Sequence, residues 1–277
     1  MDGTTAQIIA LTCHGNKFLQ GGEVNSFLSD NYTCQYCQFV KFVEWNKDDK
    51  DVGEIKEIAG TPNEWFNYLK SKNAVGIKIC ITPQNEEVAE DRSNAGFVDG
   101  GVIWEMIVTY KDGKSEIWRA KWETSDDHPP GKLWQVTYRY SKLDTIPDIG
   151  LENIDVTSKK LIKALENIKK YSEPHEALER YTERFSSALN VMIKVDHKLE
   201  NKKYIYHNDL YPEGVLDEKA KSLLSACQMS EVFGGMGSWN DLPPHDGPYD
   251  DYKKVSDETY LAMNEGFVVA TNSSFKP

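Results

Sequence analysis

Between residues 102 and 140 the chain alternates apolar and polar positions through three successive runs, and the apolar positions carry four of its seven Trp residues. In 102–110 the period of two puts Trp104, Met106, Val108 and Tyr110 on one side. After the turn Lys111, Asp112, Gly113, Lys114, the run 117–123 puts Trp118, Ala120 and Trp122 together. The run 133–140 repeats the pattern with Trp134, Val136, Tyr138 and Tyr140, while Glu105, Arg119, Lys121, Glu123, Gln135 and Arg139 fall on the opposite side. This is the signature of an antiparallel sheet with one buried face and one solvated face.

Further extended segments, rich in Val, Ile, Thr and aromatics, are predicted at 7–13, 33–45 and 75–82. One helix interrupts them: Thr61 is an N-cap with Pro62 at the first helical position and Glu64 completing a capping box, and Trp65, Phe66 and Leu69 follow at helical spacing. The polar stretches 48–51 and 84–94 read as exposed loops.

After Pro147 the period changes from 2 to 3.6. Leu161, Ile162, Leu165 and Ile168 make one stripe on a helix starting near Thr157. Ser172 is expected to cap a second helix with Leu178, Tyr181, Phe185, Ala188, Leu189 and Met192 on one face. A third is expected from about Leu216 to Phe233, ending at Gly234 and Gly235, and a fourth from Ser256 through Tyr260, Leu261, Met263, Phe267 and Val268. The fold class is therefore α+β: an antiparallel sheet of about six strands in residues 1–146, with one inserted helix, and about four helices in 147–277, packed on the sheet as one domain or following it.

The net charge of −12 repels a phosphate backbone, so nucleic-acid binding is not expected. The absence of a signal h-region, of a spanning apolar stretch and of an even cysteine count points to a soluble cytoplasmic protein with reduced thiols. On this reading the sequons at Asn31 and Asn272 are chance matches.

The candidate chemistry is sparse. Cys34 and Cys37 form one CxxC, to which Cys13 and His14 could add ligands for a tetrahedral zinc site. A thioredoxin-like role is disfavoured because the motif runs into a strand pattern. The segment His175, Glu176, Glu179 lacks the second His of HExxH, and Asp241, His245, Asp246, Asp250 and Asp251 lack the spacing of a calcium loop. Trp239, in the Gly- and Pro-rich stretch 234–252, either tucks under a helix or meets a ligand. The stretch 92–101 enters the Trp104 strand through Gly100 and Gly101, and a pocket at that sheet mouth would draw on His14, Arg92, Asp99 and Trp104. With no intact catalytic motif, the leading expectation is a non-enzymatic binding or interaction protein with a protein or small-molecule partner and no identifiable cofactor. The alternatives are an enzyme or carrier using the aromatic pocket, with His14 as acid or base and Arg92 as anion clamp, and a small structural zinc module.

Overall fold

The computed structural model describes residues 3–44, 56–142, 153–194, 209–242 and 249–276. The expected loop at 48–51, the boundary at 146/147 and the acidic-loop residues His245 and Asp246 lie outside them.

One six-stranded sheet has the order β2-β1-β6-β5-β4-β3, built from β1 (Cys37–Glu44), β2 (Lys56–Ala59), β3 (Ala74–Thr82), β4 (Ile103–Tyr110), β5 (Ser115–Thr124) and β6 (Trp134–Lys142). The aromatic meander pairs as its alternation predicts, with Met106 opposite Trp118 and Trp122 opposite Val136. The sheet is mixed rather than purely antiparallel, because β1 runs parallel to β6. These two strands lie far apart in sequence, so no hairpin turn sets their relative direction.

Eight α-helices are described: α1 (Gly3–Leu19), α2 (Phe27–Asp30), α3 (Pro62–Ser71), α4 (Val88–Asn94), α5 (Ile154–Ser172), α6 (Glu179–Lys194), α7 (Glu218–Ser230) and α8 (Tyr249–Asn272). The strand expected at 7–13 is instead the middle of α1. Ile8, Ile9, Ala10, Leu11 and Cys13 are all fully buried, so the helix has no polar face, and an unbroken apolar run does not distinguish a buried strand from a buried helix. Consequently His14 and Asn16 belong to its last turns. The stretch 84–94 is also no exposed loop: it contains α4, and Asp91 is buried while accepting from the backbone N–H groups of Gln84 and Asn85.

Helix α3 is capped as expected, Thr61 Oγ1 accepting from Glu64 N at 3.3 Å, although Glu64 reaches back to Gly60 N rather than to Thr61. Ser172 ends α5 instead of opening the next helix, donating its hydroxyl to Lys169 O at 2.8 Å. Helix α5 itself starts earlier than Thr157, at Ile154, where Asn153 accepts from Asp155 N. Helix α8 begins at Tyr249, about two turns before Ser256, whose hydroxyl bonds the helix's own carbonyl at Tyr252 instead of capping it.

Helices α1, α3 and α8 lie against the sheet, and α5, α6 and α7 pack mainly on α8 and on one another. The aromatic face is covered: Met106, Val108, Trp118 and Tyr138 are inaccessible to solvent. Within that layer Trp65 of α3 stacks on Phe42 at 4.4 Å, and Phe42 stacks on Tyr138 at 5.2 Å.

The β3 edge of the sheet is closed by two asparagines. Asn16 accepts from Ile77 N (2.7 Å) and donates to Ile77 O (2.8 Å), and Asn272 does the same at Ile79 (2.7 and 2.9 Å). Each carboxamide replaces one residue of a missing seventh strand, so the outward backbone groups are satisfied without a pairing partner. Among the described residues no helix is long and apolar enough to cross a membrane.

Candidate functional site

A crevice opens where β4 begins. Its floor is Val102 and Trp104, one wall is Tyr260, Met263, Asn264 and Phe267 of α8, and the rest is Thr5 of α1, Ala95, Gly100 and Gly101 of the preceding loop, and Glu231 at the end of α7. The enclosed space is about 20 Å³, room for a water or for one terminal polar group of a larger molecule. Asn264 is 4% exposed, and its side-chain Nδ2 has no hydrogen-bond partner. That nitrogen is itself closed off from solvent, and a buried amide donor left unpaired costs on the order of 1–3 kcal/mol, so Asn264 lines the crevice with an unsatisfied group just beneath its surface.

Backbone geometry shapes the entrance. Gly101 has φ +73°, and a Cβ there would sit 3.1 Å from the Tyr260 hydroxyl. The Gly96 backbone lies against Gly234 and Gly235, where a Cβ would meet Gly235 N at 2.1 Å, so the two turns bordering the crevice touch chain to chain. Each turn presents apolar side chains outward: Phe97 (60% exposed) and Val98 (49%) on one, Met236 (101%) on the other.

Of the residues expected to line a sheet-mouth pocket, only Trp104 does so. Arg92 is instead a lock between elements: its Nε donates to Asp257 Oδ1 at 2.9 Å, its Nη1 to Asn240 Oδ1 at 2.5 Å, and its guanidinium sits 5.8 Å from the ring centroids of both Phe233 and Tyr252. With that many internal partners it is not placed as an anion clamp. Asp99 is exposed with φ 58°, its carbonyl accepting from Gln84 Nε2. Trp239 is fully buried, stacked on Tyr252 at 5.6 Å, and donates Nε1 to Ser256 Oγ at 2.7 Å, which is the tucked position. His14 packs edge-on against Phe27, its Nε2 is 3.1 Å from Asp209 O, and burial holds its imidazole below the usual value.

The four metal-ligand candidates do not converge. Among the described residues no group of three or more His, Cys, Asp or Glu is arranged to hold a metal. Cys34 and Cys37 do meet, and between them stands Gln7, a fully buried residue of α1. Its Nε2 lies 3.6 Å from each sulfur and 3.3 Å from Thr33 O, and Tyr138 donates its hydroxyl to Gln7 Oε1 at 3.1 Å. Cys13 lies apart with Ser274 as its partner, and burial pushes its thiol up to about 12.

Asn264 and Gln7 were missed from sequence. Asn264 had a usable signal, a polar residue inside the stripe Tyr260, Met263, Phe267; Gln7 was hidden by the strand assignment. Comparison with known proteins adds no name: no family model, curated protein or solved structure matches this chain.

Proposed function

We propose that this protein is a binding protein and that its recognition site is the crevice between α8 and the 95–102 loop. The observation that carries the reading is a crevice of about 20 Å³ that buried Asn264 helps to line, bordered by outward-facing Phe97, Val98 and Met236. The ligand that answers this geometry is neutral, placing a carbonyl or hydroxyl oxygen in the crevice beside Asn264 and apolar groups over the two turns. A peptide segment with flanking apolar side chains has that chemistry. An anionic head group is disfavoured by Glu231 in the wall and by the net charge of −12.

The test is a ¹H–¹⁵N titration with N-acetyl-leucinamide, and with N-acetyl-leucine carboxylate as the charged counterpart. The neutral probe should shift the Asn264 side-chain amide and the resonances of Ala95, Gly101 and Glu231, with the carboxylate weaker by about tenfold or more. Asn264→Leu should abolish the response while retaining the folded spectrum. Equal responses to both probes, or none at millimolar concentration, would make the crevice a niche for ordered water and overturn the reading.

A further inference from the structure

The CxxC pair has a geometry that core filling does not require. Gln7 is fully buried near the start of α1, and its Nε2 is shared between the Thr33 carbonyl at 3.3 Å and two weak sulfur acceptors at 3.6 Å. Burying a carboxamide is costly unless its partners are good ones, so two buried filler thiols would sit as well against an apolar residue. The amide is also aimed: Tyr138, itself inaccessible to solvent, holds Gln7 Oε1 and so turns Nε2 toward the sulfurs. The motif joins a 3₁₀ turn (Tyr32–Cys34) to the first residue of β1, bringing both sulfurs to one side of a tight backbone corner.

We propose that Cys34 and Cys37 are a peroxide-responsive dithiol, with Cys37 as the attacking sulfur, Cys34 as the resolving one and Gln7 as a positioning residue.

The asymmetry between the thiols supports that order. The hydrogen bond from the Cys34 thiol holds Cys37 below its ordinary value, with the Gln7 amide and the charge of Lys132 acting the same way against burial. That same bond, together with burial, pushes Cys34 up. Cys37 is therefore the sulfur that gives up its proton more readily, to attack as the thiolate, and Cys34 keeps its proton until resolution.

In the first step Cys37 Sγ attacks one oxygen of a hydroperoxide, the O–O bond breaks, and the departing alkoxide or hydroxide takes a proton to leave as alcohol or water. Cys37 is then a sulfenic acid. Cys34 gives up its proton and attacks Cys37 Sγ; the S–O bond breaks, hydroxide leaves with that proton as water, and the disulfide forms. Two thiols are oxidised by two electrons and one hydroperoxide is reduced. Return to the dithiol takes two equivalents of an external thiol. The oxidant class follows from access: Cys34 is 0% and Cys37 2% exposed, so a molecule the size of hydrogen peroxide enters far more readily than a bulky disulfide.

The experiment uses the full reduced chain treated with stoichiometric hydrogen peroxide, quenched with an alkylating agent and mapped by mass spectrometry. The expected result is a Cys34–Cys37 linkage forming before Cys13, Cys80 or Cys227 is modified, reversed by dithiothreitol, and formed more slowly with oxidised glutathione. Cys34→Ser should leave a dimedone-reactive sulfenic acid on Cys37. Tyr138→Phe keeps the ring but frees Gln7, and should slow linkage about three- to tenfold, the loss of one oriented hydrogen bond. Gln7→Met provides the second reading on any variant that keeps its far-UV spectrum. Oxidation appearing first at Cys80, the least buried of the other thiols, would overturn the proposal. So would both thiols staying reduced, faster reaction with oxidised glutathione than with peroxide, or stoichiometric zinc on the purified pair.

Discussion

At the scale of single residues, side-chain amides decide more than the aromatics do. Asn272 satisfies both outward backbone groups of Ile79, so Asn272→Ala leaves a buried N–H and C=O without partners. The expected cost is about 2–4 kcal/mol, roughly 1–3 for each orphaned group with partial relaxation, read as a lower urea midpoint at unchanged slope. Asn272→Asp recovers only the acceptor half and should fall between the two. His14 gives a pH signature. Its folded value lies below the ordinary 6.5 because of burial, opposed by the backbone carbonyl and charge of Asp209, so the neutral ring is the folded form. The unfolded chain takes up the proton first, and the contribution is complete above pH 6.5 and lost as pH falls from there toward the folded value. The stability difference between wild type and His14→Gln should therefore be flat above neutrality and decline below pH 6.5 by at most about 1.4 kcal/mol per unit. A flat difference down to pH 5 would show that the ring is solvated in the fold. The roles of Asn16 and Asn272 were not legible in sequence, since the two are tied to β3 across 61 and 193 residues.

At the scale of elements, legibility followed amphipathicity. The meander strands and α3 were read correctly because each has one wet and one dry face. Helix α1 was misread because it is dry all round, and α4 because its buried residues, Asp91 and Arg92, are charged ones whose partners come from the loop before it and from α8. The same logic explains the candidate site: the loop leading to Trp104 was legible from its paired glycines, while the wall supplied by α8 was not, because no local pattern says which strand a helix will cover. A close helix pair offers a test. Gly266 of α8 faces α7, and a Cβ there would lie 2.5 Å from Cys227 Sγ and 3.3 Å from Leu223 Cδ1. Gly266→Ala gains up to about 1 kcal/mol of helix propensity but overpacks a buried contact, worth about 1–3 kcal/mol the other way. The net expectation is destabilisation in thermal or urea unfolding, and Gly266→Ala with Cys227→Ala should recover most of it.

At the scale of the molecule, the two edges of the sheet are managed differently. The β2 edge is a strand of four residues with exposed Lys56 and Glu57, short and charged enough to discourage pairing. The β3 edge is nine residues long and apolar, and its protection comes from the first and last helices together. Asn16 reaches it from α1 and Asn272 from the end of α8, while Ser274 accepts from Asn16 Nδ2 and the Phe275 ring closes over Gly76. The C-terminal turn is thus part of the sheet's boundary. Deleting residues 271–277 removes Asn272, Ser274 and Phe275 at once and leaves Asn16 short of a partner, exposing an apolar edge with free hydrogen-bonding groups. The expected outcome is association through β3: concentration-dependent dimers or larger species by light scattering, with amide protection lost at Ile77 and Ile79 before the centre of the sheet. Because the defect is the open edge and not lost core, Lys78→Pro in the truncated chain is no remedy, since Lys78 pairs inward with Ile107, whereas Thr82→Lys, which puts a charge at the exposed end of the strand, should reduce association at little cost in stability. A truncated chain that stays monomeric at high concentration would show that the asparagine clamps serve stability alone.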